Sequence, residues 1–235
     1  RARAAITLGG GDGAVKHPMR HTVLAAVLVL ALLAGVGCTG RASADPESLG
    51  YTLPTRIVVE AGGFLPGSTI QYLGESERGA HVLIDGQEAV KRAGDSLDWR
   101  GEPVEGAAVA LALRVVSHNA DELQLVGTAD VEVQDPAPRP APLVETSPIT
   151  YNGLVGYGVA AGDQVPGSSM VYRGPADEGA EFGGIEGYPY RRAGDSLVWE
   201  GVLREGVYIL LELRLVQYDE ENVRLAGTVR LWFGE

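Results

Sequence analysis

The chain has 235 residues, 45% of them hydrophobic, with 33 glycines and 13 prolines, which excludes a disordered polymer and favours many short strands joined by turns. Its formal charge is -12, and without residues 1–37 about 15 basic groups face about 30 acidic ones. So acidic a chain is a poor electrostatic partner for nucleic acid or anionic lipid, and no nucleic-acid partner is expected.

Met19-Arg20-His21 opens an apolar stretch from Val23 to Val36, too short for the ~20 residues that span a bilayer, and it reads as the core of a signal peptide at 19–37. Residues 1–18 precede that methionine and are read as a start-site artefact. Their Gly9-Gly10-Gly11-Asp12-Gly13 run lacks the Gly-Lys-Ser/Thr ending that a phosphate loop needs.

The stretch ends in Leu33-Ala34-Gly35-Val36-Gly37-Cys38, which resembles the lipobox of bacterial lipoproteins. The resemblance implies acylation of Cys38, a membrane anchor and a place in the cell envelope outside the cytoplasmic membrane. Cys38 is the only cysteine, so a disulfide within the chain is impossible, and lipidation explains an odd cysteine in an exported protein. Ala42-Ser43-Ala44 offers the alternative of cleavage and secretion. Residues 38–50 read as a tether.

Residues 51–134 and 151–234 align without a gap at an offset of 100, with roughly a third of the positions identical. Pro66-Gly67-Ser68 recurs as Pro166-Gly167-Ser168, and Arg92 to Leu97 as Arg192 to Leu197. The chain therefore reads as one small β domain written twice, at 51–134 and 151–235, with the same turns in both copies. Asp135 to Pro142 carries alternating prolines, and residues 135–150 read as a stiff linker that holds the copies apart.

Within each copy, short strands are expected at 57–61, 68–74, 80–84 and 96–101, with counterparts in the second. A long hairpin follows, in which Val109, Leu111, Leu113 and Val115 alternate with Ala110, Ala112 and Arg114 before Leu123, Leu125, Ala129, Val131 and Val133 return. Gly127 and Gly227 fall at the same place in the return strand, where glycine marks a bulge or bend. About six strands per copy predict an all-β chain of two tandem small barrels or sandwiches. Trp99 and Trp199 read as core anchors. Arg114 and Arg214 sit mid-strand on the polar face, and their expected partners are Asp95 or Glu105, and Asp195 or Glu205.

Gly94-Asp95-Ser96-Leu97 and its repeat resemble the nucleophile block of the GDSL esterase and lipase family. That resemblance implies an α/β sandwich and a C-terminal Asp-x-x-His block, whereas this chain has no histidine after His118. A serine without a base is a weak nucleophile, so no catalytic residue is assigned and the chain is not read as an enzyme. Asp219-Glu220-Glu221-Asn222 lacks the alternate spacing and glycine of a calcium loop, and no ligand-spaced cysteines are present for zinc. No metal or cofactor is expected.

The copies also differ where Gly187-Tyr188-Pro189-Tyr190-Arg191-Arg192 replaces Gln87-Glu88-Ala89-Val90-Lys91-Arg92. Tyr188, Tyr190, Arg191 and Arg192 are the candidate ligand-binding residues, because aromatic rings beside guanidinium groups can stack on sugars or grip an extended peptide. Tyr157, Phe182, Tyr208 and Trp232 add to the aromatic excess of the second copy. The expected role is binding or scaffolding through two modules, with cell-wall polysaccharide, peptidoglycan or an envelope protein as partner. A purely structural subunit and a serine hydrolase are the alternatives.

Overall fold

A computed structural model describes residues 40–45, 47–142, 147 and 149–234. Met19, Cys38 and the signal-like stretch lie outside these residues. The described part belongs to one compact unit, Thr39–Glu235, and is all-β. Among the described residues no helix is long and apolar enough to cross a membrane.

The first half contains β1 Gly40–Asp45, β2 Ser48–Glu60, β3 Gln71–Ser76, β4 Gly79–Ile84, β5 Gln87–Lys91, β6 Ser96–Val104, β7 Ala107–His118 and β8 Glu122–Gln134. Then come β9 Arg139–Pro140, β10 Ile149–Ala160, β11 Val171–Ala176, β12 Gly179–Gly183, β13 Tyr190–Arg191, β14 Ser196–Arg204, β15 Val207–Tyr218 and β16 Asn222–Phe233. One ten-stranded sheet runs β6-β7-β8-β2-β1-β10-β16-β15-β14-β9, and two three-stranded sheets, β3-β4-β5 and β11-β12-β13, complete the halves. The sheets stay open, so the barrel alternative does not form.

The long hairpins are where the alternation places them, with Leu113 opposite Gly127 and Leu213 opposite Gly227. Val109, Leu111, Leu113 and Val115 are buried, and a bulge between Val115 and Ser117 recurs between Leu215 and Gln217. Each small sheet folds over the inner face of its hairpin through a tyrosine. Tyr72 is buried and donates its hydroxyl to Asn119 O at the hairpin tip (2.5 Å), and Tyr172 does the same to Asp219 O (2.5 Å). Tyr72→Phe and Tyr172→Phe are each expected to cost about 1 kcal/mol in a urea melt, since the ring packing survives and only one hydrogen bond is lost.

The halves are not held apart. Tyr51, Leu53, Tyr151 and Tyr157 belong to one continuous apolar core shared by both halves. The residues read as a tether contribute instead to the join: β1 pairs antiparallel with β2 and parallel with β10, and 48–50 begin β2. Proline at 54 is tolerated inside β2 because the pairing to β1 ends at Tyr51, leaving that edge without a ladder bond to lose.

The contacts across the join are reciprocal. A methyl on Gly67 would lie 3.3 Å from the Ile149 side chain, and one on Gly167 3.4 Å from the side chain of Leu49, the counterpart of Ile149. Likewise a methyl on Gly106 would meet the Arg204 guanidinium, and one on Gly206 the side chain of Val104, the counterpart of Arg204. Each contact thus recurs between positions 100 apart, the reciprocity of an interface related by a two-fold axis. Arg204 closes it by donating from Nη1 to Gln134 O (2.7 Å) and Gly106 O (3.4 Å).

The linker does not stand free either. Arg139 and Pro140 pair with Val202 and Gly201 along β14, and Ala137 donates its N–H to Leu203 O (2.8 Å). The alternating prolines that suit an extended spacer equally suit an extended strand laid on a sheet edge.

Candidate functional site

The two Gly-Asp-Ser-Leu segments form turns. Gly94 and Gly194 take positive φ (91° and 93°), and the following aspartate caps its own loop, with Asp95 Oδ2 accepting from Arg92 N and Asp195 Oδ2 from Arg192 N (2.7 Å each). Ser96 and Ser196 begin β6 and β14, exposed, opposite Arg114 and Arg214. The carboxylates are therefore already engaged. Arg114 and Arg214 donate to the carbonyls of Gly94 (3.0 Å) and Gly194 (3.1 Å) rather than to the acidic partners expected for them.

His118 lies in the first half with its Nδ1 3.2 Å from Glu75 Oε1, yet that nitrogen makes no directed hydrogen bond. At the hairpin tips, Asn119 Oδ1 accepts from the N–H groups of Asp121 and Glu122, and Asp219 Oδ1 from those of Glu221 and Asn222. These side chains hold their own turns.

The candidate binding residues do come together. Tyr188, Tyr190, Arg191 and Arg192 line one hollow of about 480 Å³ with Glu178, Asp195 and Ser196. Local sequence explains how the loop of the second half departs from that of the first. In the first half Asp85 (φ 51°) and Gly86 (φ 78°) make a two-residue turn, and β5 pairs along its length from Gln87 to Lys91. In the second half, positive φ at Gly184 and Gly187 and the missing N–H of Pro189 shorten the pairing to Arg191 and Tyr190 opposite Ala180 and Glu181. The freed loop carries Tyr188 outward, 60% exposed, while Tyr190 is half-buried. Their rings meet edge to face with centroids 5.4 Å apart.

The arginines have a different task from the one their charge suggests. Arg191 donates from Nη1 to the carbonyls of Tyr188 and Tyr190 (2.9 Å for the latter) and from Nε to Ser196 O (3.2 Å). Arg192 Nε donates to Glu178 O (3.2 Å). In the first half Lys91 reaches Ser96 O (2.9 Å) and Arg92 reaches Arg78 O (3.2 Å), so both halves use these cations to tie loops. What the second half adds is the tyrosine pair. The carboxylate of Glu181, then partial burial, then Glu178 and Tyr188, push the Tyr190 hydroxyl above its usual range.

Most of the other aromatic excess is structural. Phe182 is buried against Tyr172 with centroids 5.6 Å apart, Tyr157 is buried at the join, and Trp232 lies under Arg230 on the outer sheet face. Trp199 is buried and donates Nε1–H to Ser169 Oγ (3.0 Å), whereas Trp99 is only partly buried.

One hollow was not anticipated from the sequence. A groove of about 630 Å³ lies on the outer face of the first half, floored by Gly50, Ala108 and Ala110 and bordered by Arg100, Asp130 and Glu132. In the second half Tyr208, Leu210 and Trp232 stand at the positions of Ala108, Ala110 and Glu132. That size difference between outward-pointing positions was the available signal.

The described residues form an all-β protein whose two halves share a ten-stranded sheet and carry a three-stranded sheet each, the second half with an exposed tyrosine loop. Comparisons with protein-family models, with curated proteins and with solved structures return no match.

Proposed function

We propose that the chain is an exported, lipid-anchored envelope protein whose β halves bind or scaffold extended material outside the cytoplasmic membrane, with cell-wall polysaccharide as the ligand that best suits its exposed rings. The observation that carries this reading is the Tyr188–Tyr190 pair, held edge to face over a hollow beside Asp195 and Ser196. A ring as exposed as Tyr188 contributes little to the fold and has contact area to give to a ligand. The signal-like segment and Cys38 support an envelope location, and the carbonyl-tied Arg191 supports a pre-organised loop.

The test is retention of the full chain on isolated cell-wall polysaccharide. Tyr188→Ala and Tyr190→Ala are each expected to weaken retention about tenfold, the effect of removing a well-packed aromatic contact. Tyr188→Ala should leave the melting curve unchanged. Undiminished retention by both variants overturns the site, and no retention by the wild-type chain overturns the ligand class.

A further inference from the structure

The outer faces of the two halves carry opposite features at matched positions. Across the first half one row of cross-strand neighbours runs Arg100-Ala110-Asp130-Thr52, and across the second its counterpart runs Glu200-Leu210-Arg230-Asn152. Both charges are inverted, and the small residue between them becomes large. In the next row Ala108 and Glu132 are replaced by Tyr208 and Trp232, so the groove of about 630 Å³ in the first half answers to a ridge in the second.

Both surfaces reach solvent. Ala108, Asp130 and Glu132 are exposed along the groove. On the second half Glu200 and Arg230 are exposed, Tyr208 and Leu210 are half-buried, and Trp232 is buried. The adjoining row there, Val198-Glu212-Thr228-Leu154, ends in two apolar side chains that are 60% and 58% exposed, where the first half has Asp98 and Pro54. Arg100, Asp130 and Glu200 take part in none of the ion pairs among the described residues. An exposed apolar face bordered by unpaired charges is suited to a protein partner.

We propose that the groove of one copy takes the outer ridge of a second copy, so that the chain self-assembles first half to second half. Stacked sheets lie about 10 Å apart, a gap that Leu210 fills when it stands over Ala110. Two grooves laid together leave the hollow empty, and two ridges crowd each other. Charge then fixes the orientation. With β7 and β15 parallel, β6 lies over β16, and Arg100 meets Arg230. With them antiparallel, β6 lies over β14 and β8 over β16, which sets Arg100 against Glu200 and Asp130 against Arg230. Each copy offers one groove and one ridge, so the contact is heterologous. It uses neither Tyr188 nor Tyr190 and stands apart from the polysaccharide reading.

The test is sedimentation of the full chain in a mild detergent, which shields the apolar stretch 23–36. Concentration-dependent self-association is expected in the micromolar range. Two exchange variants separate the faces. Ala108→Tyr with Ala110→Leu fills the groove, and Tyr208→Ala with Leu210→Ala strips the ridge, each giving one half the residues that the other already accommodates. Each variant alone should associate about tenfold more weakly, the effect of losing well-packed anchors. Their equimolar mixture should recover a one-to-one complex, because the filled variant keeps its ridge and the stripped variant its groove. Arg100→Glu should weaken association about fivefold, and Glu200→Arg added to it should restore it, a rescue that misfolding cannot mimic. A wild-type chain that stays monomeric at about 100 μM overturns the proposal. So does association that survives in both exchange variants alone, or a mixture that forms no complex.

Discussion

Gly227→Ala is expected to cost the fold about 3 kcal/mol or more and to lower its melting temperature by roughly 10 °C. A methyl group at that position would lie 2.0 Å from Glu212 O and 2.8 Å from Leu213 Cα. Both atoms belong to the backbone of the neighbouring strand, so no rotamer change relieves the overlap, and the strand itself must move. β16 is held on both sides, with Gly227 opposite Leu213 of β15 and Val155 of β10, so movement there disturbs two ladders. Gly127 is in the same position, with Ala112 O 1.9 Å from the methyl site, and Gly127→Ala should behave alike.

The control is Gly158→Ala. Gly158 also lies in a strand, has no heavy atom within 4 Å of the methyl site, and does not have positive φ. Adding the methyl there restricts the unfolded chain without a clash, so stability should change by a few tenths of a kcal/mol, in the stabilising direction. Chemical denaturation of the three variants separates close approach from the general preference against glycine in strands. Equal losses in all three would show that strand propensity, and not backbone contact, decides.

These glycines also mark how far the sequence could be read. Their position in the return strand was legible because the flanking alternation is unbroken, and the long hairpins followed from it. β5 was not, because Gln87-Glu88-Ala89-Val90-Lys91 carries too little alternation to announce a strand, and its pairing is fixed by the Asp85-Gly86 turn. The first part of β2 was hidden by Pro54, which reads as a breaker unless the neighbouring edge is known to be free.

The join between halves was the largest gap. Tyr51, Leu53 and Tyr151 supply its apolar face, but residue types do not say that two repeats pack on one another rather than each closing on itself. The candidate site was legible for a specific reason. Comparing the copies position by position cancels what both need for folding, and Tyr188 and Tyr190 are among the aromatic differences that remained, with Tyr157, Phe182, Tyr208 and Trp232. The same comparison at Ala108, Ala110 and Glu132 held the outer groove, which went unread because small residues draw no notice beside aromatic ones.

Above pH 10 the protein is expected to lose stability steeply, and the loss should be traceable to the tyrosines at the join. Burial pushes the Tyr151 and Tyr157 hydroxyls up to about 12, the latter against a lowering contribution from its bond to Tyr51, and raises Tyr51 well above 10. An acid whose folded pKa lies above its unfolded value is stabilising below the unfolded pKa, and that contribution disappears as pH rises toward the folded one. The unfolded chain releases each phenolic proton near pH 10, while the folded chain keeps it. Between pH 10 and about 12 the slope is thus up to about 1.4 kcal/mol per pH unit for each such tyrosine.

The pseudo-symmetry sharpens this into a test between two residues. The hydroxyls of Tyr157 and Tyr51 share a hydrogen bond (3.5 Å), but the position equivalent to Tyr157 in the first half is Ile57, which lines a crevice of about 310 Å³ with Tyr151. Tyr151 is accordingly buried with a hydroxyl that has no hydrogen-bond partner among the described residues. Tyr151→Phe removes an unsatisfied polar group, so at pH 7 it should be neutral or stabilising by up to about 1 kcal/mol, whereas Tyr51→Phe should cost about 0.5–1 kcal/mol. At pH 11 both variants should have a shallower decline than the parent. Urea melts at pH 7, 10 and 11 decide the matter, and equal losses for the two variants at pH 7 would mean that the hydroxyls of Tyr51 and Tyr151 are not differently placed.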